Sequence, residues 1–137
     1  MRKYEEGKMI VETSRVTAVV EEIAAVGCNE KNELYTVFKS GATQGVSPGS
    51  KEVCTADYQA IIEALKSAGA KVVETKFFVV VVECMVGVWH NGMGTIYIVF
   101  ESGSTQSIKY NSPEYEVDYQ KLVAAIKGDT LQLVGDK

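Results

Sequence analysis

The chain is one unit written twice, and this limits its folds more than any other feature. Aligned on itself at an offset of about 62, Val11-Glu12-Thr13 returns as Val73-Glu74-Thr75, Val19-Val20-Glu21 as Val81-Val82-Glu83, and Asn29 as Asn91. The clearest match sets Tyr35-Thr36-Val37-Phe38-Lys39-Ser40-Gly41-Ala42-Thr43-Gln44 against Tyr97-Ile98-Val99-Phe100-Glu101-Ser102-Gly103-Ser104-Thr105-Gln106. After a one-residue deletion in a loop, Asp57-Tyr58-Gln59 recurs as Asp118-Tyr119-Gln120. Ordered identities across a whole supersecondary unit are the mark of tandem duplication.

Each copy predicts the same elements. A β-branched segment, residues 16–26 or 78–88, precedes a polar loop and a second strand, 34–39 or 96–101. Ser40-Gly41 and Ser102-Gly103 are turn chemistry, because Gly supplies the positive φ of a tight hairpin before a short third strand. Tyr58, Ile61, Ile62 and Leu65 then fall at helical spacing, as do Tyr119, Leu122, Val123 and Ile126. Thr55 is the expected N-cap of the first helix, and Gly69 and Gly128 are the expected helix stops. The expected fold is α+β: a β-β-β-α unit duplicated into a pseudo-twofold, mainly antiparallel structure with two helices and a C-terminal strand at 130–134. The first strand of each copy is expected to run on into the next with a bend near Ser14 or Lys76. The 137 residues predict a single domain with repeats at about 8–69 and 70–131 sharing one core.

Charge and cysteine content narrow the function classes. With 14 basic against 18 acidic side chains the net charge is -4, which repels phosphate and predicts no nucleic-acid partner. The aromatics Tyr35, Phe38, Tyr97 and Phe100 lack the basic pattern of an RNA-binding sheet. The first eight residues lead into no long apolar run, so no signal peptide is expected, and the run 77–82 is too short for a membrane helix. Cys28, Cys54 and Cys84 form no C-x-x-C pair and fit a reducing cytoplasm. No cofactor and no metal are expected, since no short-spaced Cys/His cluster or glycine-rich phosphate loop leading into a helix is present.

The copies diverge at three places. The long segment of copy two is apolar on both parities, so it is either central and covered on both sides or, through Phe77, Val79, Val81 and Met85, the interface of a homo-oligomer, a dimer being favoured. Lys39 aligns with Glu101 and could form a pair across the repeats, or each could stand alone in solvent. In the next loop Gly27-Cys28-Asn29 faces Trp89-His90-Asn91, and the chain's one Trp and one His stand together. The leading expectation is a noncatalytic module that self-associates and binds a protein partner. The alternatives are a small apolar ligand in a cleft between the repeats, lined by Trp89, Tyr35, Tyr97, Tyr110 and Tyr115 and entered past His90, and a small enzyme using Cys28 or His90.

Overall fold

The computed structural model describes residues 2–5 and 8–129. Strand β1 (Arg2–Glu5) pairs with β2 (Lys8–Glu12), which opens the first repeat. In each repeat a short hairpin comes first: β2 with β3 (Thr17–Val19). The bend expected at Ser14 is instead a full reversal, since Glu12 lies opposite Thr17. Its closure is local, with Thr13 N–H donating to Val16 O at 2.7 Å and the Thr13 hydroxyl accepting from Val16 N–H at 3.1 Å.

A single 3-10 turn, Val20–Glu22, then leads into a meander of β4 (Ile23–Cys28), β5 (Leu34–Phe38) and β6 (Thr43–Val46), followed by helix α1 (Lys51–Ser67). The second repeat follows the same plan. Its hairpin is β7 (Val72–Glu74) with β8 (Phe78–Val81), its 3-10 turn Val82–Cys84, its meander β9 (Met85–His90), β10 (Thr95–Phe100) and β11 (Thr105–Lys109), and its helix α2 (Glu114–Asp129). Among the described residues the fold is therefore α+β, with antiparallel pairings in three sheets, two helices and a repeated unit.

Each long β-branched segment is two strands, not one. Val20 and Val82 are buried while Glu21, Glu22 and Glu83 stay in solvent, and the 3-10 turn achieves this by turning the backbone between two sheets. Period-two alternation cannot hold through that turn, so the apolar pattern on either side belongs to different surfaces.

The helix ends depart from expectation at two points. Ser50, not Thr55, caps α1, its hydroxyl accepting from Val53 N–H at 3.1 Å, and Thr55 lies exposed within the helix. Gly69 does stop that helix: with φ at +85° it lets Ala70 N–H reach Leu65 O and its own N–H reach Lys66 O, both at 3.0 Å. Gly128 instead lies inside α2. The strand expected at 130–134 lies outside the described residues.

Both repeats feed one apolar cluster, including Val11, Ile23, Leu34, Val37, Ile61 and Leu65 from the first and Val79, Val80, Ile96, Ile98, Phe100 and Leu122 from the second. They are used unequally, however. The β7–β8 hairpin of the second repeat joins the first repeat's meander through β8 and β4, making a five-stranded sheet in the order β6-β5-β4-β8-β7. The second meander keeps three strands, β11-β10-β9, with β9 at an edge, while β3 pairs with β2.

That topology explains the doubly apolar segment and corrects the expected oligomer interface. Strand β8 lies between β4 and β7, so Val79 and Val81 are buried within this chain, as is Met85, and Phe77 packs its ring 5.2 Å from that of Tyr110. Both faces are covered from within, so the composition calls for no second copy. The pair across the repeats forms with a different acid from the one expected: Lys39 lies 3.5 Å from Glu83 rather than pairing with Glu101, on the surface, where such a contact contributes about 0–1 kcal/mol.

Candidate functional site

The aromatic residues expected in one cleft stand in three places. On β10 the pleat sends Ile96, Ile98 and Phe100 inward, all buried, and Thr95, Tyr97 and Val99 to the opposite face. Tyr97 lies directly across from Trp89 of β9 and Ser107 of β11, and Val99 across from Gly87 and Thr105. Trp89 and Tyr97 stack with ring centroids 3.9 Å apart and planes within 10°. Trp89 remains 49% exposed, while Tyr97 and Val99 are part-buried and Thr95 is buried, so this face is open to solvent at Trp89 and along β11. Thr105, Ser107 and Lys109 complete it, all exposed.

A second group surrounds the start of α2. The His90 ring meets Tyr119 edge-on at 4.5 Å and Tyr115 at 5.9 Å, and its Nδ1 accepts from Gly92 N–H at 3.0 Å. Tyr110 is buried, and its hydroxyl donates to Asp118 Oδ2 at 2.6 Å. Burial, then the bond to Asp118, pushes the Tyr110 phenol well above its usual range.

Tyr35 stands apart from both. Its hydroxyl donates to Glu33 Oε1 at 2.8 Å, and the same oxygen accepts from Asn29 Nδ2 at 2.8 Å. These two bonds hold the Glu33 carboxyl below its ordinary value and the bond to Glu33 raises the Tyr35 phenol. Tyr35 lines a cavity of ≈ 360 Å³ between the repeats with Phe78, Ile108 and Lys109. Glu30, Lys31 and Glu33 line it too, so this cavity is charged where an apolar cleft was expected, and Trp89, Tyr97, Tyr110 and Tyr115 are not part of it.

Cys28 and His90 have separate partners. The Cys28 sulfur lies 2.8 Å from that of Cys54 on α1, while the imidazole packs on the tyrosines of α2, so no thiolate–imidazole pair is made. Among the described residues no three His, Cys, Asp or Glu side chains gather to hold a metal ion, and no helix is long and apolar enough to cross a membrane.

Two features escaped the sequence reading. Asp57 and Asp118, buried on the two helices, each bind the turn of their own repeat's first hairpin: Ser14 Oγ donates to Asp57, and Lys76 N–H donates to Asp118 Oδ2 at 2.9 Å. The available signal was their alignment as a recurring acid inside an apolar helix face. The contact between Cys28 and Cys54 left none, because residues 26 apart in sequence meet only through the packing of α1 on β4.

No protein-family model and no curated protein matches the chain. Among solved structures it is similar to the LytTr DNA-binding domain of a putative methyl-accepting/DNA response regulator from Bacillus cereus, at 13% identity and a TM-score of 0.46, over 85% of this chain and 95% of that one. That neighbour is described as a DNA-binding domain, against the expectations of a self-associating, protein-binding or small-ligand module and of no nucleic-acid partner. At that identity and score the likeness assigns no function, which rests on the geometry of the open sheet face.

Proposed function

We propose that this chain binds nucleic acid on the open face of β9, β10 and β11, with unpaired bases stacking on Trp89 and Tyr97. The carrying observation is Trp89, about half exposed and stacked on the part-buried Tyr97: the outer face of an indole held flat by a rigid sheet suits a base, whose own face is flat and polarisable.

The acidic net charge describes the chain, not this surface. From residue 85 to 113 Glu101 is the one carboxylate, and Lys109 stands opposite Thr95 on the same side of the sheet as Tyr97. Phosphates approaching there meet hydroxyls and a cation. Stacking contributes about 1–3 kcal/mol per base, which exceeds a single screened phosphate contact, so the aromatic pair supplies most of the attraction.

The one Trp of the chain reports binding directly. Titrating single-stranded DNA, single-stranded RNA and duplex DNA at low salt should quench Trp89 fluorescence, with single strands the tighter ligands. Trp89→Ala and Tyr97→Ala, read by anisotropy of labelled oligonucleotides, should each weaken binding by roughly 5- to 150-fold. Lys109→Ala should lower the salt dependence by about one counterion. Binding that survives both aromatic substitutions, or no binding at all at low salt, refutes the reading.

A further inference from the structure

We propose that Cys28 and Cys54 are a hydroperoxide-sensitive thiol pair that closes reversibly to an intrachain disulfide, Cys28 being oxidised first. The two sulfurs stand 2.8 Å apart, and a disulfide bond needs about 2.05 Å. Cys28 ends β4, and Cys54 is in the first turn of α1, so the bond would tie the strand end to the helix start within one repeat. The second repeat makes the same strand-to-helix contact with other side chains, since its aligned residues His90 and Tyr115 pack ring against ring at 5.9 Å. The first repeat has two thiols at that junction.

The pair is asymmetric in the way such chemistry needs. Cys28 is partly exposed and lines two openings, the ≈ 360 Å³ cavity beside Tyr35 and a second of ≈ 510 Å³ beside Thr55 and Tyr58. Cys54 is fully buried, and burial pushes its thiol up to about 12, so it is shielded from the oxidant behind Cys28 and gives up its proton only as the S–S bond forms. The third cysteine, Cys84, is buried in the other repeat's 3-10 turn.

The steps balance with a hydroperoxide as oxidant. The Cys28 thiolate attacks a peroxide oxygen; the S–O bond forms, the O–O bond breaks, and the leaving alkoxide or hydroxide takes up the proton, giving an alcohol or water and a sulfenic acid on Cys28. The Cys54 sulfur then attacks the Cys28 sulfur. Its proton goes with the departing hydroxyl as water, the S–O bond breaks and the S–S bond forms. Two thiols lose two electrons and one hydroperoxide gains them. A dithiol reductant reverses the change.

Treating the full chain with hydrogen peroxide and alkylating what remains tests this by mass spectrometry. Free thiols should fall from three to one, with residues 28 and 54 linked and Cys84 still alkylated. Cys54→Ala should accumulate a sulfenic acid on Cys28 that dimedone traps, and Cys28→Ser should leave Cys54 unmodified. Reduction with dithiothreitol should restore all three thiols. A link through Cys84, a link only between chains, or Cys28 passing to sulfinic acid with Cys54 free each overturns the proposal, whatever the outcome of the oligonucleotide titrations.

Discussion

Asp118 accepts the Tyr110 hydroxyl at 2.6 Å, and the same oxygen takes the backbone N–H of Lys76 at 2.9 Å. One carboxylate thus joins α2, the segment after β11 and the turn between β7 and β8. Replacing Asp118 by Ala leaves a buried phenol and a partly buried N–H without an acceptor, at roughly 1–3 kcal/mol for each. Asp57→Ala should cost less, since Asp57 takes the Ser14 hydroxyl and has no counterpart of Tyr110. Urea denaturation of the two variants measures the difference; equal losses would refute this account of Asp118.

Tyr110 and Tyr58 should weaken the fold at alkaline pH. Desolvation is the largest cause at both, and it raises both phenols above their usual value. The native state therefore favours the neutral form. Their contribution is complete below the ordinary phenol pKa of about 10 and is lost as pH rises from there through the raised values. Absorbance titration of the seven tyrosines should show a fraction ionising late, together with unfolding, and Tyr110→Phe should remove part of that late fraction. Phenols that all ionise near pH 10 in the folded protein would contradict it.

What the sequence made legible were features carried by local chemistry within a repeat. The turn glycines Gly41 and Gly103 have φ near +100°, as the Ser-Gly dipeptides imply, and Gly69 ends α1. The α+β class followed from the duplicated pattern. What stayed hidden depended on which repeat lies against which. Nothing within residues 78–81 says that β8 leaves its own meander and pairs with β4. From that single exchange follow the burial of Val79 and Val81, the exposure of Trp89, and the separation of Tyr35 from the other aromatics. The break at Val20 and Val82 was equally hidden, because Val-Glu-Glu reads as a strand until the two sheets are seen to lie on either side of it.

The start of α1 gives a sharp local test. Ser50 caps it through Val53 N–H, and Thr55 sits exposed beyond the first turn. Ser50→Ala should cost about 1 kcal/mol, and Thr55→Ala should be neutral or slightly stabilising, because Ala is the better helix former. Thermal melts that rank the two the other way would return the helix start to Thr55.

Gly27 and Trp89 occupy the same position of the two repeats, and their neighbours explain why the residues differ so much. Gly27 lies opposite Phe78 in the β4–β8 pair, and a Cβ added there would stand 2.5 Å from the ring. Trp89, on β9, has no β8 beside it, so its position can hold an indole. Gly27→Ala must therefore displace a buried ring and should destabilise by about 1–3 kcal/mol. Gly87 provides the control. A Cβ there meets Val99 at 3.7 Å, an ordinary contact, and Gly87→Ala should stabilise by about 0.5–1 kcal/mol, because alanine orders at lower entropic cost in a strand. Opposite signs for the two substitutions, read from denaturation midpoints, test the β4–β8 pairing on which the openness of the Trp89 face depends. Two stabilising changes would mean that Phe78 does not lie over Gly27.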